Sequence, residues 1–114
     1  MIKSVIAATA VALIASAAGA DPVGEEGAGA STCGQFERNY RANPEHAEIV
    51  YFSWAQGAMS GMNTILMIQQ KPPTDLNKES LEDQKDYLRN FCDAHPLAPY
   101  YAGVFALFGE MAKP

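Results

Sequence analysis

The sequence has few of the residues that catalytic and metal sites use. Its 114 residues include two cysteines and two histidines, and neither histidine lies in an HExxH motif or alongside a GxSxG motif. We expect His46 in the first turn of a helix and His95 at a helix C-terminus. Cys92 to His95 cannot form a metal site alone, because three ligands within four residues do not close a tetrahedron. We therefore predict no enzyme activity, no metal and no cofactor.

Basic residues are also scarce. Eight Lys and Arg stand against 13 Asp and Glu, and the formal charge is −5. Nucleic acids and anionic membranes select for clusters of Lys and Arg, so neither is expected as a partner. A chain of this length holds one domain, which excludes a multidomain enzyme.

Long apolar runs are absent except at the N-terminus. Lys3 precedes an apolar stretch from Val5 to Ala18, and Ala18-Gly19-Ala20 fits a signal peptidase site. The stretch is too short and too rich in alanine for a membrane span, so we predict no integral membrane segment. We predict a signal peptide over 1–20, cleaved after Ala20, and a periplasmic or secreted protein. Without Lys3, 7 basic and 13 acidic side chains remain, a formal charge of −6.

Export favours a disulfide between the two cysteines, Cys33 and Cys92. Closing a loop of roughly 60 residues stabilises a fold by about 4 kcal/mol on the chain-entropy model. The segment 21–30 is acidic, rich in Gly and Ala and poor in large apolar residues, which predicts a flexible leader. The disulfide-stapled helical domain is then expected over 31–114.

Helical patterns dominate that domain, and no segment shows the alternation of a strand. Ser31 or Thr32 caps a short first helix, and Asn43-Pro44 begins a long one that ends before Lys71-Pro72-Pro73. Asn77 or Ser80 opens a third helix with Leu81, Leu88 and Phe91 inward, and Pro99 precedes a fourth. We predict an all-α fold of four helices around the long central helix. The disulfide is expected to join helices on opposite sides of that central helix.

The central helix carries small residues at intervals of four, Ser53, Gly57 and Gly61. Glycines inside a helix cost roughly 1 kcal/mol each relative to alanine, which indicates that something passes close to this face. One interpretation is a neighbouring helix of the same chain, such as the fourth. The other is a self-association or ligand groove flanked by Trp54, Met59 and Met62, which are adaptable contact residues.

Three motifs, followed by a closing apolar helix, together resemble the HdeA/HdeB family of small periplasmic acid-stress proteins, over about 32–111. They are Thr32-Cys33-x-x-Phe36, then Trp54-x-x-Gly57 with Ser60-Gly61, and Tyr87-Leu88-x-x-Phe91-Cys92-x-x-x-Pro96. The resemblance implies a single-disulfide helical domain that dimerises at neutral pH. In acid such a protein loosens, exposes apolar surface and holds unfolding clients. It also implies the Cys33–Cys92 pairing and places 54–61 on the central helix.

The chain is also similar to the Tai-type immunity proteins, which block toxic peptidoglycan amidases. The similarity lies in size, helical content and an aromatic-x-x-Gly segment before a Cys-x-x-x-Pro turn. The preferred hypothesis is an exported, non-enzymatic protein-binding domain with an acid-stress chaperone role, whose partner is a protein or an unfolded client, with a possible homodimer. The alternative is an immunity protein that inhibits a periplasmic peptidoglycan hydrolase.

The acidic surplus bears on the preferred hypothesis. With every side-chain carboxylate protonated and both histidines charged, the chain from Asp21 onward changes from −6 to +9. Such a swing acts on folding and association through repulsion and lost carboxylate pairs. The alternative interpretation is that the acidic residues serve solubility alone.

Overall fold

The fold consists of four α-helices, and it is described here from a computed structural model covering residues 23–114. The helices are α1 (Cys33–Ala42), α2 (Pro44–Ile68), α3 (Leu81–Ala94) and α4 (Tyr100–Met111), preceded by a short 3₁₀ helix (Gly27–Ala30). Within the described range there is no strand, only an isolated bridge between Thr32 and Pro99. The all-α, four-helix prediction is confirmed. The predicted signal peptide and its cleavage site lie outside the described residues.

Three of the four α-helices begin after a side chain that accepts a backbone N–H, and α4, which follows Pro99, has no such cap. Thr32 caps α1 by accepting from Gln35 N, and Asn43 caps α2 by accepting from His46 N, each at 3.1 Å. Ser80 does the same for α3. The sequence left two candidates for each of two helices. The N-cap of α1 is Thr32 rather than Ser31, and the N-cap of α3 is Ser80 rather than Asn77. Such caps satisfy N–H groups that have no partner within the helix.

The disulfide joins the first residue of α1 to the last turn of α3. The Cα atoms of Cys33 and Cys92 are 4.7 Å apart, which confirms the predicted pairing. The expected placement on opposite sides of α2 is wrong, because α1 packs directly against α3 as well as against α2. The α3–α4 connection supports this arrangement: Cys33 N donates to Ala98 O at 2.7 Å, and Gly34 N donates to Pro96 O at 2.9 Å.

The core is built around three aromatic rings from three helices. Phe36, Tyr51 and Tyr100 are buried, with ring centroids 4.9 to 5.1 Å apart. Tilted and edge-on rings at this separation add to the stability that burial of their apolar area provides. The remaining core side chains are mostly apolar: Phe52, Ala55, Met59, Leu88, Val104, Leu107 and Met111. α2, α3 and α4 therefore share one interior with α1.

The second half of the predicted flexible leader is part of the fold. Gly29 is buried beneath the indole of Trp54, and Trp54 Nε1 donates to Glu26 O at 2.8 Å. The prediction considered only the few apolar side chains within 21–30. The ring of Trp54, in α2, supplies the apolar surface that this segment lacks. The folded part thus begins near Glu26 rather than Ser31.

The connection between α2 and α3 is held by two buried amides. Asn63 donates to Thr74 O and accepts from Thr74 N, both at 2.8 Å. Gln84 donates to the backbone oxygens of Leu76 and Glu79. These bonds satisfy backbone groups that two prolines and an extended path leave without helical partners.

Candidate protein-binding surface

One side of α2 remains uncovered along most of its length. Its residues are exposed, and we call this side the outer face of α2: Ile49, Val50, Ser53, Gln56, Gly57, Ser60, Gly61, Thr64, Met67 and Ile68. Within the described part of the chain, nothing lies within 4 Å of where a Cβ would stand on Gly57 or Gly61. The interpretation that a neighbouring helix of this chain fills the small-residue face is therefore wrong for residues 23–114.

The outer face carries no charge and has apolar side chains at both ends. Ile49 is 60% exposed and Ile68 is 73% exposed, and Val50 and Met67 stand beside them. Between His46 and Ile68 the only charged residue is Glu48, which bonds to Arg89 of α3. Single exposed apolar residues are ordinary, but a contiguous uncharged strip of this kind is typical of an interaction site.

The six predicted interface residues do not form a single surface. Ser53, Gly57 and Gly61 lie on the outer face, but Met59 is buried in the core. Trp54 and Met62 are half-buried, and the Trp54 ring covers the 3₁₀ helix. The prediction grouped these three residues with the small ones because all six are close together in sequence. Closeness in sequence does not put residues on one side of a helix, because successive residues point in different directions around the helix axis.

The sequence interpretation missed the ends of the outer face. The prediction of a central helix surrounded by the others implies that its apolar side chains are covered, yet Ile49, Val50 and Ile68 are exposed. Leu81 of α3, also expected inward, is 52% exposed. The near absence of charge from 46 to 68 could not have revealed this, because a fully covered helix and a helix with an open interaction face both lack charge.

A groove of about 590 Å³ runs along one edge of the outer face, between α2 and α3. Its apolar lining comes from Ile49, Phe52 and Leu81, and Lys85 lies over the Phe52 ring with Nζ 5.4 Å from the centroid. A shallower depression of about 310 Å³ follows the other edge, where Ile65 and Phe105 are exposed. The outer face is thus bordered by a depression on each side, and the one next to α3 also has charged side chains in its lining.

An ion pair connects α2 to α3 at the base of the groove. Arg89 donates to Glu48 and to Asp86, and its guanidinium lies 5.3 Å from the centre of the Tyr40 ring. Partial burial opposes the charge of Arg89, but the bond to Glu48 outweighs this effect and raises the arginine pKa. Deeper in the core, burial raises the pKa of Tyr100, whose hydroxyl has no hydrogen-bond partner among the described residues.

A second acidic contact joins α1 to α3 beside the disulfide. A hydrogen bond to Asp93 raises the pKa of Glu37, and partial desolvation and the Asp93 charge act in the same direction, against a lowering effect of Arg41. The Glu37 carboxyl group therefore holds its proton more readily than an isolated glutamate does. Arg41 and Arg89 border the same small cavity of about 140 Å³.

The remaining candidate features are accounted for by local structure. His95 is exposed at the end of α3, with its ring centroid 4.5 Å from that of Phe91, and His46 is exposed in the first turn of α2. Across residues 23–114 there is no group of three or more His, Cys, Asp or Glu placed to hold a metal ion. None of the helices in that range combines the length and hydropathy that crossing a membrane requires.

Comparison with known proteins supplies no relative from which a role could be transferred. No protein-family model matches the chain, and neither a curated protein nor a solved structure is significantly similar to it.

Proposed function

We propose that this chain is an exported, non-enzymatic protein-binding domain that acts through the outer face of α2. The observation that carries the proposal is the exposure of that uncharged face beside a groove whose lining combines apolar and charged side chains. The apolar side chains exposed at both ends of this face favour contact with another protein, because association removes them from water. The acidic surplus of the rest of the chain favours protein partners over nucleic acid.

An acid-stress role is the more specific form of this proposal. It is supported by two carboxylate contacts that respond to acid in opposite ways. Protonation of Glu48 removes the ion pair with Arg89 between α2 and α3. Acid favours the Glu37–Asp93 contact, which together with the disulfide links α1 to α3. Acid is therefore expected to loosen α2 from α3 while α1 and α3 stay joined, which exposes more apolar surface beside the groove.

The test measures dye binding and client protection as the pH is lowered. From pH 7 to about 2–3, binding of an apolar dye should rise, any dimer should dissociate, and aggregation of an acid-unfolded client should be suppressed. Glu48→Gln is the informative variant, since it removes the carboxylate that pairs with Arg89. It should change the pH at which dye binding rises. Glu79→Gln, which replaces an exposed carboxylate in the α2–α3 connection away from both depressions, is the matched control. Unchanged dye binding and no client protection at pH 2 would remove the acid-stress role.

A pull-down at neutral pH separates this role from the immunity alternative. A stoichiometric complex with a periplasmic peptidoglycan hydrolase, lost when Ile68→Glu puts a charge on the outer face, would favour the immunity protein. The same charge placed at Leu97, which is 92% exposed in the α3–α4 connection, is the control. If neither assay detects a partner, the protein-binding proposal itself fails.

A further inference from the structure

Resting on the proposed function, we infer that the groove between α2 and α3 binds an amphipathic helix of another protein, with Lys or Arg at both ends of its apolar side. The groove has a volume of about 590 Å³, within the range of about 300–1,000 Å³ that is usual for binding sites. Apolar side chains line its middle, and an acidic side chain stands at each end. This order of apolar and acidic groups determines the chemistry of the partner.

The two helices that form the groove run in opposite directions. Glu48 of α2 bonds to Arg89 of α3. One turn further along α2, Phe52 lies beneath Lys85, which is one turn earlier in α3. Leu81 comes one turn earlier again and also lines the groove. The groove is therefore a straight channel between antiparallel helices, and a third helix can lie along it as helices do in bundles.

The middle of the channel offers apolar surface to such a helix. Phe52 is nearly buried, whereas Ile49 on the α2 side is 60% exposed and Leu81 on the α3 side is 52% exposed. A helix presents residues three and four apart on one side, so the apolar side chains of two of its turns can cover these groups. Removing Ile49 and Leu81 from water then favours binding.

Each end of the channel carries a carboxylate that a cation can reach. Glu45, one turn before Ile49, is exposed, and it has no ion-pair partner among residues 23–114. At the other end the side chain of Glu82 is 76% exposed, although it bonds to Lys85. Because the helices are antiparallel, Glu82 comes level with a point about ten residues beyond Glu45, or about 15 Å along the channel.

The two cations that line the channel are already paired within the chain. Arg89 bonds to Glu48 and Asp86, and Lys85 bonds to Glu82 at 3.2 Å. Three carboxylates line the channel beside these two cations, and Asp86 adds a fourth next to Arg89. The surplus is negative, so the channel attracts a cationic helix and repels an acidic one.

The spacing of these groups predicts the residue pattern of the partner helix. Residues i and i+11 face the same side of a helix and are about 16 Å apart, which matches the distance between the two acidic ends. Lys or Arg at these two positions reaches Glu45 and Glu82. Apolar residues at i+4 and i+7 lie between them and meet Ile49 and Leu81, as in other complexes of a helix in a groove.

Fluorescence anisotropy with labelled synthetic peptides at pH 7 tests this chemistry. The probe is a helical peptide of Ala and Gln with Lys at i and i+11 and Leu at i+4 and i+7. It should bind the disulfide-bonded chain with a dissociation constant in the micromolar range, about tenfold or more tightly than a peptide with Glu in place of Lys. A peptide of the same composition with Lys and Leu spread around the helix should also bind weakly. Added salt should weaken binding of the probe.

Variants of the chain test whether the probe lies in the channel. Glu45→Gln should weaken binding about twofold to fivefold, the range expected for an exposed ion pair, whereas the exposed Glu79→Gln in the α2–α3 connection should not. Leu81→Gln should weaken it about fivefold or more. Leu97→Gln, at an exposed leucine outside the channel, is the matched control.

Lys85→Gln is the variant with the opposite sign. It removes a cation from above the Phe52 ring and leaves Glu82 free to pair with the partner, so the probe should bind about twofold or more tightly. If Lys85 served only to support the fold, its loss would weaken binding instead. Circular dichroism and thermal unfolding confirm that each variant is folded.

The inference is overturned if the probe does not bind up to about 1 mM, if the three peptides bind equally, or if Glu45→Gln and Leu81→Gln leave its affinity unchanged. If the probe fails but a protein partner is still lost from Ile68→Glu at neutral pH, this inference fails and the proposed function remains. Binding of the probe without client protection in acid keeps this inference and removes the acid-stress role.

Discussion

Replacing Gly29 with alanine tests whether the segment before α1 belongs to the folded domain. Gly29 is buried beneath the Trp54 ring, and an added Cβ would overlap the Cζ2, Cε2 and Cη2 atoms of the indole. Neither group can move away freely. Trp54 Nε1 donates to Glu26 O at 2.8 Å, and the 3₁₀ helix continues into the backbone that pairs with the α3–α4 connection.

The expected cost is the sum of two effects. Forcing extra volume into a packed contact costs typically 1–3 kcal/mol, and loss of the hydrogen bond from Trp54 costs a further 0.5–1.5 kcal/mol if the ring turns away. Because part of the strain is released when the 3₁₀ helix detaches, we expect the free energy of unfolding to fall by about 1–3 kcal/mol. Such a change is easily measured for a domain of this size.

Urea unfolding followed by fluorescence gives both the stability and the state of the contact, because Trp54 is the single tryptophan of the chain. Gly29→Ala should lower the midpoint and shift the native emission to longer wavelength as the indole becomes exposed. Gly24→Ala is the control from the same segment, since nothing lies within 4 Å of its added Cβ. If the two variants have the same midpoint and the same emission, the packing of the 3₁₀ helix on α2 is refuted.

Other substitutions test the packing of the helices, the interhelical connection and the acidic contact. Gly103→Ala puts a Cβ 2.8 Å from a ring atom of α3 and should lower the unfolding free energy by about 1–3 kcal/mol, whereas Gly57→Ala should raise it by up to about 1 kcal/mol. Asn63→Leu removes both hydrogen bonds to the α2–α3 connection and should cost about 2 kcal/mol by urea unfolding. Glu37→Gln should raise the melting temperature at pH 7 but not at pH 3. The raised pKa of Glu37 means that its contact with Asp93 stabilises the fold below the usual glutamate pKa and loses this effect as the pH rises. A gain at pH 3 equal to that at pH 7 would contradict this account.

The ends of the helices could be predicted from sequence because local residues determine them. Asn43 followed by Pro44 begins α2, and the two prolines after Lys71 exclude its continuation. The disulfide partners could be predicted too, since two cysteines allow only one intramolecular pairing. These features depend on interactions within a few residues or on simple counting.

The orientation of α2 could not be predicted in the same way. Its residues are apolar on nearly every side, so periodicity alone does not distinguish the side that meets Phe36 and Tyr100 from the side that meets nothing. The choice depends on long-range packing of the 3₁₀ helix and α4, and on Trp54 covering Gly29. The open position of Ile68 is therefore a finding of the tertiary structure.

The outer face of α2 also explains how this domain can tolerate glycines in its longest helix. Gly57 and Gly61 together lower helix stability by roughly 2 kcal/mol relative to alanine, and no contact within the described chain recovers this loss. The Cys33–Cys92 disulfide, which closes a loop of 59 residues, contributes about 4 kcal/mol on the chain-entropy model. The disulfide and the core that all four helices share thus hold the fold together, although the outward side of α2 is uncovered. On this reasoning Gly57→Ala should raise the free energy of unfolding while its methyl group weakens binding of a partner to the outer face, and opposite signs for these two effects would distinguish a binding face from a poorly packed one.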